Sequence, residues 1–214
     1  MSKYISCIIT LIAFSTGCNQ PEQKPNSQIT LNPPLDSVKP VVAPLINSDS
    51  LLQETGKSIL LSLKNKNYQQ FTNHFAPDKK VRFTPYGHVD IKNDVQLNAA
   101  EFLKLFYANK RIMWGFQDGS GDSMQLTIPE YFQRFVYNAD LLKAARTAVD
   151  SIIGKGNSLN NLQSTYKSAH FIEYHFPGFD KKYAGMDWTS LRLVFEKEKD
   201  GYFLIAVIHD QWTI

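Results

Sequence analysis

The sequence predicts an α+β domain over residues 49–214, in which amino-terminal helices pack against a curved antiparallel sheet. Three observations predict it. Apolar residues recur at helical spacing through the first half of that region, whereas its last third reads as three strands, 170–176, 191–196 and 202–213. The run 203–208, Phe-Leu-Ile-Ala-Val-Ile, is apolar at every position, as a strand covered on both faces requires. Composition also breaks sharply near residue 48, from a proline-rich stretch to a sequence with regular apolar spacing.

Each element has its own signal. Ser50 and Gln53 form a capping-box pattern ahead of Leu52, Ile59, Leu60 and Leu63, which predicts a first helix. Asn67 and Gln70 repeat the pattern for a short second helix carrying Tyr68, Phe71 and Phe75 and ended by Pro77. Residues 81–83 read as a strand. Asn98 and Glu101 cap a third helix with Phe102, Leu105 and Phe106 on one side. Residues 111–117 and 123–128 read as strands around an Asp118-Gly119 turn signal. Thr127, Pro129 and Glu130 then start a fourth helix through Phe132, Phe135 and Val136. Residues 141–153 are ambiguous between helix and strand.

Residues 170–176, 191–196 and 202–213 are three strands of an antiparallel meander. Helices cover one face of the central strand. Its other face must meet a second layer, a curled part of the same sheet, or another copy of the chain in a homodimer. A two-residue turn at Asp200-Gly201 would place Arg192 opposite His209 and Leu191 opposite Asp210.

The amino terminus carries an address. Lys3 precedes an apolar run from Tyr4 to Phe14, too short to span a bilayer, and Phe14-Ser15-Thr16-Gly17-Cys18 follows. This resembles a bacterial lipoprotein signal, whose cleavage box ends in a small residue and then cysteine; Ser15 stands where leucine is usual. The resemblance implies a signal peptide over residues 1–17, acylation of Cys18, and a lipid anchor (palmitate among its acyl chains) in the cell membrane or the outer membrane, facing away from the cytoplasm. Residues 18–48 hold Pro21, Pro25, Pro33, Pro34, Pro40 and Pro44 and read as a tether spanning roughly 30 Å. An edge strand at Ile29-Thr30-Leu31 is the competing reading. With Cys7 inside the signal, the mature chain can form no internal disulfide, and its core must stabilise it.

Charge excludes one class of partner. The formal net charge is +3, from 23 basic and 20 acidic residues, without a basic block or a basic-aromatic stripe, so nucleic acid is not indicated.

The order of helices and long final strands resembles the nuclear transport factor 2-like fold, a cone of curved antiparallel sheet closed by helices. The runs Arg82-Phe83-Thr84-Pro85-Tyr86, Asp118-Gly119-Ser120-Gly121, Glu173-Tyr174-His175-Phe176-Pro177-Gly178, Met186-Asp187-Trp188 and His209-Asp210-Gln211-Trp212 are similar to those of uncharacterised bacterial lipoproteins and envelope proteins. That resemblance implies no reaction, and the cone fold hosts enzymes and binding modules alike.

Motifs narrow the chemistry. Counting a calcium loop from Asp118 puts Ser123 where glycine is needed and Pro129 where the bidentate glutamate belongs. His74, His88, His170, His175 and His209 have no zinc-ligand spacing, so no metal or cofactor is expected. Gly154-Lys155-Gly156-Asn157 lacks the third glycine of a dinucleotide fingerprint and reads as a turn. One constellation survives: Glu173, His175, Arg192 and His209 would meet at one sheet end, as catalytic acid-base candidates or as plain structural ion pairs. Tyr174, Trp188, Asp210 and Trp212 are the ligand-binding candidates there, and Tyr86 and Tyr183 are further aromatics near turns. The expected function is a membrane-tethered envelope lipoprotein binding an unknown small ligand or a protein partner. The rival is a small-molecule enzyme working in the cone pocket.

Overall fold

The computed structural model describes residues 48–199 and 201–213, all within a compact unit that begins at Pro44. The signal, Cys18, the tether and the Ile29-Thr30-Leu31 strand lie outside the described residues. Among the described residues no helix is long and apolar enough to cross a membrane.

Helix α1 (Ser48–Lys64) starts ahead of Ser50, which therefore lies inside the helix instead of capping it. The other caps form where the sequence puts them. Asn67 accepts from the Gln70 amide ahead of α2 (Tyr68–Thr72), and complete capping boxes start α3 (Ala99–Tyr107) at Asn98/Glu101 and α4 (Ile128–Phe135) at Thr127/Glu130. Strands β1 (Val81–Thr84) and β2 (Val95–Leu97) precede α3, and a separate hairpin, β3 (Ile112–Phe116) with β4 (Ser123–Leu126), precedes α4. The ambiguous segment divides: Leu141–Lys143 is a single 3-10 turn and Arg146–Val149 is strand β5. The short helix α5 (Leu162–Thr165) leads into β6 (His170–Phe176), β7 (Thr189–Glu198) and β8 (Gly201–Gln211).

The main sheet is six-stranded, ordered β2-β1-β8-β7-β6-β5. Four pairings are antiparallel, and β1 runs parallel to β8. The apolar run 203–208 thus lies in mid-sheet, as its composition requires.

Register departs from the expectation. Glu198 pairs with Gly201, which closes the β7–β8 hairpin earlier than an Asp200-Gly201 turn would, and a bulge between Leu204 and Ala206 takes up one residue. Arg192 consequently stands opposite Ile208, and His209 opposite Leu191. The bulge also lets Tyr202, Leu204 and Val207 all face the helices despite their odd spacing.

That helix-facing side is filled by aromatic rings. Phe71, Phe75, Phe83, Phe102 and Phe132 meet edge-on or tilted, for example at 5.1 Å for Phe71–Phe75 and 5.4 Å for Phe102–Phe132, apart from Phe83 and Phe102, which stack at 6.0 Å. Trp114 from the β3–β4 hairpin stacks on Tyr131 at 3.8 Å. The rings of Phe71, Phe83 and Phe102 are fully buried, so the space between the sheet and the helices is a packed core.

The opposite face is covered by the chain itself. Ile152, Leu162, Tyr166 and Ala169, from the connection 150–169, pack with Val89 over Phe171, Val194, Ala206 and Ile208. This second layer answers the question left by the central strand and needs neither extra curling of the sheet nor a second copy.

Candidate functional site

Because successive side chains alternate faces along a strand, the observed register sorts the predicted residues. Glu173 stands opposite Arg192, His175 opposite Ser190, and Ser190 opposite Asp210, so all five share the face beneath the 150–169 connection. His209 points to the other face, against the ring of Phe135 at 5.5 Å. The predicted four-residue constellation is therefore corrected: a one-residue shift removes His209, and Asp210 takes its place beside Arg192.

The cluster is dry and heavily bonded. Arg192 and Glu173 are fully buried, and Asp210 is 3% exposed. Arg192 Nη1 donates to Asp210 Oδ2 at 2.8 Å, and its Nη2 donates to the Gly154 carbonyl at 2.9 Å and to Glu173 Oε1 at 3.2 Å. Arg192 Nε lies 3.1 Å from Glu173 Oε2, an ion-pair approach without hydrogen-bond alignment. Glu173 also accepts from the amides of Ile153 and Gly154, each at 2.8 Å. His175 Nδ1 meets Ser190 Oγ at 2.8 Å. These ion pairs are buried beneath the 150–169 connection and do not lie at a solvated sheet end.

Electrostatics follow from burial. Desolvation pushes Glu173 upward, and the Arg192 charge together with its hydrogen bonds outweighs this and holds it below the usual carboxylate range. For Asp210 desolvation wins over Arg192, and its carboxyl titrates above the usual range. Burial lowers His175.

Glycine makes the cover possible. A Cβ on Gly154 would lie 2.4 Å from Ser190 Oγ, 2.8 Å from the Trp188 ring and 3.0 Å from Glu173 Oε1, and one on Gly156 would lie 2.9 Å from Trp188. The run read as a plain turn is thus a strap laid across the cluster, and only glycine fits there. Trp188 is buried beneath it, 5.8 Å from His175, and does not line an open cavity.

On the other face His209 is held as a neutral ring. Its Nδ1 donates to the Pro85 carbonyl at 2.9 Å, and its Nε2 accepts from the Asn138 amide at 3.2 Å with Thr189 Oγ1 at 3.1 Å. Complete burial drives its pKa down to about 4. Tyr174 lies on this face, and burial raises its phenol. Trp212 is exposed near the end of β8.

Two clefts adjoin these residues. One, about 400 Å³, opens between α1 and the β5–β6 edge, with Leu60, Leu141, Ile172 and Tyr174 as its floor and Ser50, Gln53, Glu54 and Lys57 on α1 at its side. Sequence reasoning had pointed to Tyr174 alone; the others come from α1, the turn after α4 and strands β5 and β6, and of these Leu60 belongs to the apolar stripe that reads as core. Gly56 sets the approach, since a Cβ there would come within 2.5 Å of the Tyr174 hydroxyl. The other, about 480 Å³, lies on the opposite face beside the strap and reaches Asp210. Among the described residues no group of three or more His, Cys, Asp or Glu side chains is placed to hold a metal ion.

Fold and site define an α+β domain with helices on one side of a curved mixed sheet and a buried ion cluster under a glycine strap on the other. No family model matches the sequence, and no curated protein matches it. Solved structures match in outline. A DUF4783 family protein from Bacteroides ovatus is 9% identical over 72% of this chain and 92% of its own, with a TM-score of 0.33. A putative dehydratase from the NTF2-like family of Streptomyces avermitilis is 10% identical over 75% and 93%, at 0.37. A domain of unknown function with a cystatin-like fold from Nostoc punctiforme is 9% identical over 77% and 76%, at 0.35.

Proposed function

We propose that this protein is a lipid-anchored module of the cell envelope, with a nuclear transport factor 2-like domain that binds a small amphipathic ligand. The observation that carries the binding reading is the cleft beside α1. Its floor of Leu60, Leu141, Ile172 and the Tyr174 ring is apolar, and Glu54 and Lys57 line it as well, the mixture of apolar wall and few polar groups that holds small molecules. The enzyme reading fares worse. The inside of the cone is filled by rings, and Glu173, Arg192 and His209 are engaged by protein partners, which leaves them no reacting atom to meet. The anchor reading is supported by the sequence around Cys18.

Two experiments test the two halves separately. Cells fed a clickable fatty acid label the native chain and not a Cys18→Ala variant; label retained by the variant overturns the anchor. For the cleft, the full-length chain made without export is titrated with anilinonaphthalene sulfonate, an apolar ring system bearing one anion. Saturable one-to-one fluorescence enhancement that falls at least tenfold in affinity in Ala144→Trp, which fills the cleft, is the expected result. Enhancement unaffected by that substitution, or no enhancement, overturns it.

A further inference from the structure

The second cleft lies on the face of the sheet away from the cone. Asp150, Ser151, Ile152, Gly154, Lys155 and Asp210 are among its lining residues. Asp210 reaches the cleft, and behind it two carboxylates, Glu173 and Asp210 itself, share one guanidinium, that of Arg192, all three withdrawn from water. Glu173 is fully engaged by Arg192 and the strap amides. Asp210 is not: Oδ2 takes the Arg192 bond, and the buried Oδ1 has no hydrogen-bond partner. An unmatched acceptor in a dry site carrying one anion more than its cations is costly unless a donor or a positive charge completes it.

The neighbouring side chains do not supply a positive charge for Oδ1. His175 is committed to Ser190, and its burial favours the neutral ring. Arg146 stands opposite His175 on β5 and is exposed. His170 pairs with Asp150 at 2.7 Å on the cleft rim. Lys155 is exposed on the strap and has no ion pair or hydrogen bond among the described residues. The cleft is thus lined by two residues of opposite sign with unpaired groups: Asp210, whose Oδ1 is buried at depth, and Lys155, exposed at the rim.

We propose that this cleft binds a small zwitterion of the amino-acid class, its ammonium on Asp210 Oδ1 and its carboxylate toward Lys155. The ammonium supplies the missing positive charge and a donor at once, leaving two cations on two anions in the dry site. Asp150 does not compete for it, since its oxygens already receive His170 and the Phe171 amide. The site is distinct from the apolar cleft beside α1, so either can fail without the other.

The test uses the full-length chain, ¹⁵N-labelled and made without export, titrated with glycine, with methylammonium chloride, and with sodium chloride at matched ionic strength. Glycine and methylammonium are expected to shift the amides of Gly154 and Gly156 saturably, with glycine at least fivefold tighter, and sodium is expected to give no saturable shift. Lys155→Ala should remove the advantage of glycine and leave methylammonium binding unchanged. Asp210→Asn should weaken both by at least tenfold. Should Asp210→Asn fail to fold, Ser151→Trp, which blocks the rim and leaves the ion cluster intact, should abolish both. The proposal is overturned by an absence of saturable shifts, by equal shifts with sodium, by glycine binding no tighter than methylammonium in the parent chain, or by binding that survives Ser151→Trp.

Discussion

Arg192 Nη1 donates to Asp210 Oδ2 at 2.8 Å, and Asp210 is only 3% exposed, so the bond forms where water cannot compete. A guanidinium in such a place does not add stability simply by being paired, because both partners have been stripped of hydration. Its value shows when it is removed.

Arg192→Met alone should therefore cost about 3–5 kcal/mol, since two carboxylates are left without a counter-charge. The triple change Glu173→Gln, Arg192→Met, Asp210→Asn should cost less than that single one. Urea unfolding of both variants checks this; a triple variant less stable than Arg192→Met would contradict it.

Gly154→Ala should destabilise by about 1–3 kcal/mol, because the added methyl has to displace Ser190 Oγ, Trp188 and Glu173 together. Gly121, with nothing within 4 Å of a built Cβ, lacks that crowding, and Gly121→Ala loses only what its positive φ of +71° demands. Thermal melts of the two variants separate packing from backbone strain.

His209 gives a signed pH dependence. Its folded pKa, about 4, lies below the ordinary value near 6.5, so the unfolded chain takes up a proton first as the solution is acidified. The stability owed to the neutral ring is present above pH 6.5 and lost between about 6.5 and 4, about 3–4 kcal/mol at about 1.4 kcal/mol per pH unit. Asp94, raised to about 6 by burial, has the opposite sign and gains stability as pH falls through that value. Comparing stability against pH for the parent and His209→Gln isolates the histidine; parallel profiles would contradict its assignment.

Phe102→Ala should cost about 3–5 kcal/mol. Its ring is fully buried and meets Phe71, Phe75, Phe83 and Phe132. Chemical denaturation measures the loss.

How much of this the sequence carried depends on range. Asn98/Glu101 and Thr127/Glu130 are signals complete within four residues, and both boxes form. Strand 170–176 was legible because period-two alternation is local as well. The register of β7 on β8 was not, because the extra residue at Ile205 leaves the sequence apolar on both sides of the bulge. That single slip misplaced His209 and hid the bond between Arg192 and Asp210. The connection 150–169 covers a sheet face with Ile152, Leu162 and Tyr166 at no fixed period, so nothing in its pattern marked it as a layer. Strand β2, three residues with one buried, gave too little alternation to read.

Strand β8 comes after every other described strand in sequence but lies between β1 and β7 in the sheet. Until it arrives, the strands already made form two separate groups, β1 with β2 and β5 with β6 and β7, and the aromatic core has no shared floor. Folding of a growing polypeptide must then wait for β8 to be made and to clear the ribosome, and a chain stopped before residue 201 should remain a substrate for chaperones and proteases.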